Sequence, residues 1–84
     1  MDINESVMLL GTDGCHLCEQ AMALFEGTKW APISADIIEL GLVEAYGDKI
    51  PVLQVVNAQQ ALFWPFEQQQ INEYLAFYGI NSPF

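Results

Sequence analysis

Cys15 and Cys18 are the only cysteines in the chain, and they stand two residues apart in Gly14-Cys15-His16-Leu17-Cys18. Two thiols at this spacing can carry out disulfide exchange. One sulfur, as thiolate, attacks the disulfide of another molecule. The second then attacks the mixed disulfide and releases the reduced partner. The first sulfur must be ionised, and a thiolate is favoured at a helix N-terminus, where unpaired backbone N–H groups face it. A bridge between residues this close restrains the unfolded chain little. Its value is therefore chemical. Structural zinc wants four N or S ligands, and this stretch offers two cysteines and His16, the sole histidine. No metal site is expected within one chain. A cluster or metal shared between two copies, and a pair of packed inert cysteines, are the competing readings.

Such a pair needs a strand that ends in a turn and a helix that begins at the first cysteine. The flanking sequence supplies both. Ser6–Leu10 is a short apolar run, better suited to a buried strand than to a helix. Gly11-Thr12-Asp13-Gly14 is a turn cluster. Leu17, Ala21, Leu24 and Phe25 then mark one helical face, with Gly27 as its stop. A second strand is centred within Ile33–Ile38, and Trp30 before it is read as packing. Leu42, Val43 and Tyr46 form one face of a short helix ended by Gly47. Pro51–Val56 reads as a β-branched strand, Asn57–Gln60 as a turn and Ala61–Trp64 as the returning strand of a hairpin. Ile71, Tyr74, Leu75 and Tyr78 mark a last amphipathic helix closed by Gly79. The order is β-α-β-α-β-β-α. Alternation in the first half predicts parallel pairing, and the hairpin adds an antiparallel pair. The expected architecture is α/β, a four-stranded mixed sheet flanked by helices.

Composition narrows the setting. With 84 residues, the chain is read as one domain over 1–84. Apolar residues make up 52%, enough for a packed core. Two basic residues against eleven acidic ones give a formal charge of −9. That balance argues against nucleic acid and against an anionic membrane surface. No apolar run reaches the length of a membrane span. The start, Met1-Asp2-Ile3-Asn4-Glu5, is acidic, and no signal-peptide core follows it. A cytoplasmic monomer is the expectation.

The element order, Gly-Cys-His-Leu-Cys at the first helix, Tyr46–Leu53 (Tyr-Gly-Asp-Lys-Ile-Pro-Val-Leu) and the terminal hairpin plus helix resemble the thioredoxin fold. In size and spacing the chain is similar to the small glutaredoxin-like proteins, from Ser6 to Tyr78. The resemblance implies that Cys15 is the nucleophile and Cys18 the resolving thiol. It also implies that Pro51 is cis and faces the pair, and that the backbone at Ile50 pairs with an extended substrate. The implied activity is thiol–disulfide exchange with a disulfide-containing protein or a low-molecular-weight disulfide. No cofactor is required, and glutathione is a candidate co-substrate. A thioredoxin-fold interaction module, or a cluster or metal carrier without dithiol turnover, is the alternative.

The chain departs from the common glutaredoxin pattern at three places. His16-Leu17 separates the cysteines in place of Pro-Tyr. Asp13-Gly14 precedes them in place of a basic residue. Phe63-Trp64-Pro65-Phe66 replaces the Gly-Gly-Asp type turn that grips glutathione. A protonated His16 favours the Cys15 thiolate, while Asp13 and Glu19 oppose it. Trp64 is read either as hairpin-end packing or as an apolar edge that contacts substrate. From Ile50 through Phe66 the chain carries no charge.

Overall fold

The computed structural model describes residues 6–28, 31–81 and 84. Its elements follow the expected order. They are β1 (Val7–Gly11), α1 (His16–Ala23), β2 (Ile33–Asp36), α2 (Val43–Tyr46), β3 (Val52–Val55), β4 (Leu62–Phe63) and α3 (Gln68–Phe77). The sheet order is β2-β1-β3-β4. β1 pairs parallel with β2 and antiparallel with β3, and β3 pairs antiparallel with β4. This is the mixed four-stranded sheet of a thioredoxin-like fold. Trp30 lies outside the described residues, as does the acidic start of the chain.

Strand periodicity sorts the side chains onto two faces. Val7 and Leu9 of β1 join Leu53 and Val55 of β3 in one cluster. α1 contributes Ala21 to that cluster, the turn after it Phe25, and α3 Ile71 and Leu75. Leu10 and Val52 turn the other way and meet Ile37, with Leu42 and Tyr46 packed over them. Burial of a side chain such as Leu53 or Ile71, both fully covered, is worth about 1.5–3 kcal/mol. The central strands carry no charge because helices or loops cover both of their faces.

Two helical faces differ from the sequence expectation. Leu17 is 43% exposed. Gly11, the last residue of β1, already lies against Cys18, so the turn that carries Leu17 stands at the end of the sheet with little beneath it. Val43 is 49% exposed. A single helical turn buries only the i,i+4 pair, here Leu42 and Tyr46. β2, β3 and β4 are also shorter than the sequence runs that mark them, whereas β1 keeps its length and shifts by one residue. After β2, the Asp36 side chain accepts the Ile38 N–H at 2.8 Å and turns the chain. Ile38 is thereby left exposed.

The far side of the fold is stapled by tyrosines. The Tyr74 hydroxyl accepts the Val55 N–H at 3.0 Å and donates to the Gln60 carbonyl at 2.7 Å. The Gln60 N–H donates to the Tyr78 hydroxyl at 3.2 Å. Burial pushes the Tyr74 phenol above its ordinary pKa, against the opposing Val55 hydrogen bond and with smaller help from Tyr78 and Tyr46. The turn that these bonds hold contains Asn57 at φ 66°, in the left-handed region that asparagine tolerates. The glutamine run has specific uses as well. Gln68 donates to the Leu24 carbonyl, Gln69 to Glu73, and Gln70 accepts the Glu67 N–H at 2.9 Å.

Candidate active site

Local sequence brings Cys15 and Cys18 to the end of the sheet. β1 runs to Gly11, and the turn that follows uses Gly14 at φ 76°, where a side chain would be strained. α1 begins at His16, so Cys15 is its N-cap, with extended backbone at φ −86° and ψ 104°. Serine, threonine, aspartate and asparagine are the usual residues there. Here a sulfur takes the role, and Cys15 Sγ accepts the Cys18 N–H at 3.1 Å. A hydrogen bond to sulfur at a helix N-terminus favours the thiolate over the thiol.

The two sulfurs are joined as a disulfide, with their Cα atoms 5.2 Å apart. Both cysteines are half-buried. The Cys18 side chain packs on Gly11. A Cβ added at Gly11 would come within 2.7 Å of Cys18 Sγ and 3.2 Å of Cys18 Cβ. Gly11 is not among the glycines at positive φ, so its packing, rather than its backbone angle, calls for glycine.

The pair opens into a cleft of about 600 Å³ at the C-terminal ends of β1 and β2. One wall is Thr12, Asp13 and Gly14, and α1 adds Glu19 and Met22. The opposite wall is Ser34, Ala35 and Asp36 of β2, with Glu39 and Leu40 beyond. Parallel register makes this wall, because Gly11 of β1 pairs with Asp36 of β2 and the Gly11 carbonyl accepts the Ile37 N–H at 2.9 Å. Four carboxylates thus line the cleft, and no lysine or arginine is among its described lining residues.

The other sequence-selected residues are spread more widely. Asp13 lies in the cleft beside the cysteines. His16 points away into solvent, 91% exposed, with Nδ1 3.6 Å from Glu19 Oε2. An ion pair so exposed contributes little to stability. Ile50–Pro51 is a cis peptide, with Pro51 buried and Ile50 packed against the Leu10–Val52 cluster. Trp64 is half-buried on the core, edge-on to Phe66 with ring centroids 5.2 Å apart. Neither Ile50, Pro51 nor Trp64 lines the cleft. Trp64–Pro65 is a second cis peptide, one that the sequence pattern does not announce. Among the described residues, no three His, Cys, Asp or Glu side chains are grouped to hold a metal ion.

Sequence reasoning missed Asp36 and Glu39 as neighbours of the cysteines. A signal for them existed. In a parallel β-α-β unit, ligand crevices form at the carboxyl ends of the strands, so the residues that end β2 belong beside the turn that ends β1.

A family model described as Glutaredoxin-like domain (DUF836) matches residues 6–76. Two solved structures are similar, both of the Northeast Structural Genomics target protein XcR50 from X. campestris. Its X-ray structure is 32% identical with a TM-score of 0.68, covering 86% of this chain and 97% of that one. Its solution structure is 30% identical with a TM-score of 0.65, covering 86% and 94%. No curated protein matches the chain.

Proposed function

Because this chain belongs to the glutaredoxin-like domain family, we propose that it is a dithiol–disulfide oxidoreductase. The observation that carries this reading is the Cys15–Cys18 bridge at the N-cap of α1, open to a cleft. In the reduced protein, the Cys15 thiolate attacks one sulfur of a substrate disulfide. The substrate S–S bond breaks, and one substrate thiolate leaves and takes a proton from water. Cys18 loses its proton to water and attacks Cys15 Sγ, and the second substrate sulfur leaves. Two electrons have passed to the substrate, and the protein holds the Cys15–Cys18 disulfide. A thiol of the glutathione class, or a protein dithiol, returns it to the reduced form.

Asp13 and His16 tune the Cys15 thiolate in opposite senses. The backbone at Ile50, beside the cis Pro51, pairs with extended substrate, and Trp64 offers it an apolar edge. The substrate is a disulfide-bearing protein or a low-molecular-weight disulfide. The protein works as a monomer, in a reducing compartment such as the cytoplasm. Among the described residues, no helix is long and apolar enough to cross a membrane.

Intact mass measured across glutathione redox buffers tests the reading. The expected result is reversible loss of two hydrogens, with a persistent glutathione or substrate adduct in Cys18→Ser and none in Cys15→Ser. A pair that never closes across the buffer range overturns the dithiol mechanism.

A further inference from the structure

The walls of the cleft carry information that the cysteines alone do not. Resting on the oxidoreductase reading, we propose that the preferred substrate is a polypeptide disulfide flanked by lysine or arginine. Asp13 and Glu19 flank the pair in sequence, and Asp36 and Glu39 face it from β2 and the turn beyond. Lys49, the one lysine or arginine among the described residues, lies outside the cleft with its Nζ 3.5 Å from Asp48. A disulfide that reaches Cys15 through this cleft passes four carboxylates. A cleft lined by one sign of charge focuses its field on what enters.

Two parts of the substrate then meet different surfaces. The scissile sulfurs lie over the helix N-terminus, whose dipole favours the negative charge developing on sulfur. The flanking residues lie over carboxylates, which favour positive charge. An anionic tripeptide disulfide such as oxidised glutathione meets repulsion at the second surface, whereas a basic segment meets attraction. Asp36 has a structural duty as well, since it accepts the Ile38 N–H. Asparagine keeps that acceptor oxygen, so the charge can be removed and the turn retained.

The test is single-turnover oxidation of pre-reduced protein by three disulfide-linked peptide dimers that differ only in Lys, Ser or Glu beside the cysteine. Intact mass follows the loss of two hydrogens. Each rate is divided by that of the same peptide with dithiothreitol, which removes the effect of flanking charge on the peptide's own reactivity. The expected order is Lys over Ser over Glu, with a Lys-to-Glu ratio of about tenfold at low salt that shrinks in high salt. The double variant D36N/E39Q should lower that ratio at least about threefold, and the charge-matched control E44Q/E73Q, outside the cleft, should not. Equal rates for the three peptides overturn the inference and leave the oxidoreductase reading standing. So does an equal fall in both double variants, which would assign the preference to the overall charge. No reaction with any peptide overturns the oxidoreductase reading itself, and the inference with it.

Discussion

Helices α1 and α3 pack on the same face of the sheet, against the same core cluster, yet their N-termini are built for opposite ends. α3 starts with Glu67 and Gln70, whose side chains satisfy the first backbone donors in a reciprocal box. Ile71 and Leu75 are then fully buried, and Tyr74 ties the helix to β3. α1 starts with a sulfur in the capping position, and of its eight residues only Ala21 is fully buried. The cysteine end gives up packing and conventional capping, and leaves a half-buried sulfur lining the cleft, where the proposed exchange requires it. One helix holds the fold, and the other presents the chemistry.

The sharpest way to break that comparison is Cys15→Ser. Serine is a preferred N-cap, so α1 should keep its start while losing its nucleophile. The expected outcome is complete loss of disulfide exchange. Stability of the reduced protein should stay within about 1 kcal/mol in a urea titration under reducing conditions. A loss much larger than that would mean the sulfur is part of the structure, and the division of labour between the helices would fall.

Matched truncations on the two helices come next. Ile71→Ala should cost about 2–5 kcal/mol, from lost burial and the cavity left behind. Leu17→Ala, on the exposed shoulder of α1, should cost no more than about 0.5 kcal/mol. Denaturation midpoints measure both. Comparable costs would show that Leu17 is held against the core after all.

The Leu17 comparison marks where sequence periodicity runs out. The i,i+4 stripe is real for Ala21 on α1 and for Phe25 in the turn after it, but a periodic pattern does not say where the sheet beneath a helix ends. Val43 fails for a similar reason, on a helix of one turn. The element order, the hairpin and the cysteine pair were legible because each rests on local spacing. Asp36 and Glu39 were not, because their place beside Cys15 depends on strand register, a long-range fact. Nor does any local pattern show that Gln68 reaches the Leu24 carbonyl at the end of α1, a contact 44 residues apart in the chain. The cis geometry at Pro51 came through family resemblance rather than from any residue pattern.

Gly11 sharpens the comparison at the reactive end. Alanine there would press on Cys18 Sγ. Overpacking of this kind costs about 1–3 kcal/mol. Beyond that loss, the second step of exchange should slow more than the first, because Cys18 is displaced and Cys15 is not. Stopped-flow with mass detection should show a longer-lived mixed disulfide than in the parent protein. An unchanged lifetime would mean that Gly11 serves packing alone.

Tyr74 provides the smallest and most specific test, at the static end. Tyr74→Phe leaves the Val55 N–H and the Gln60 carbonyl without their partner, at about 1–2 kcal/mol. The pH dependence of that cost follows from the direction of the shift. Burial raises the Tyr74 pKa in the folded state, so above about pH 10 the unfolded chain loses its phenolic proton more readily than the native one. The contribution from this group is therefore full below about pH 10 and declines as pH rises toward the folded pKa. Phenylalanine has no proton to lose. The stability gap between parent and Tyr74→Phe should be constant from neutral pH to mild alkali and should narrow above about pH 10. A gap that stays constant into strong alkali would mean that the fold does not hold this phenol neutral. The tyrosine staple would then be ordinary surface hydrogen bonding, and the contrast between a fixed α3 and an open α1 would rest on packing alone.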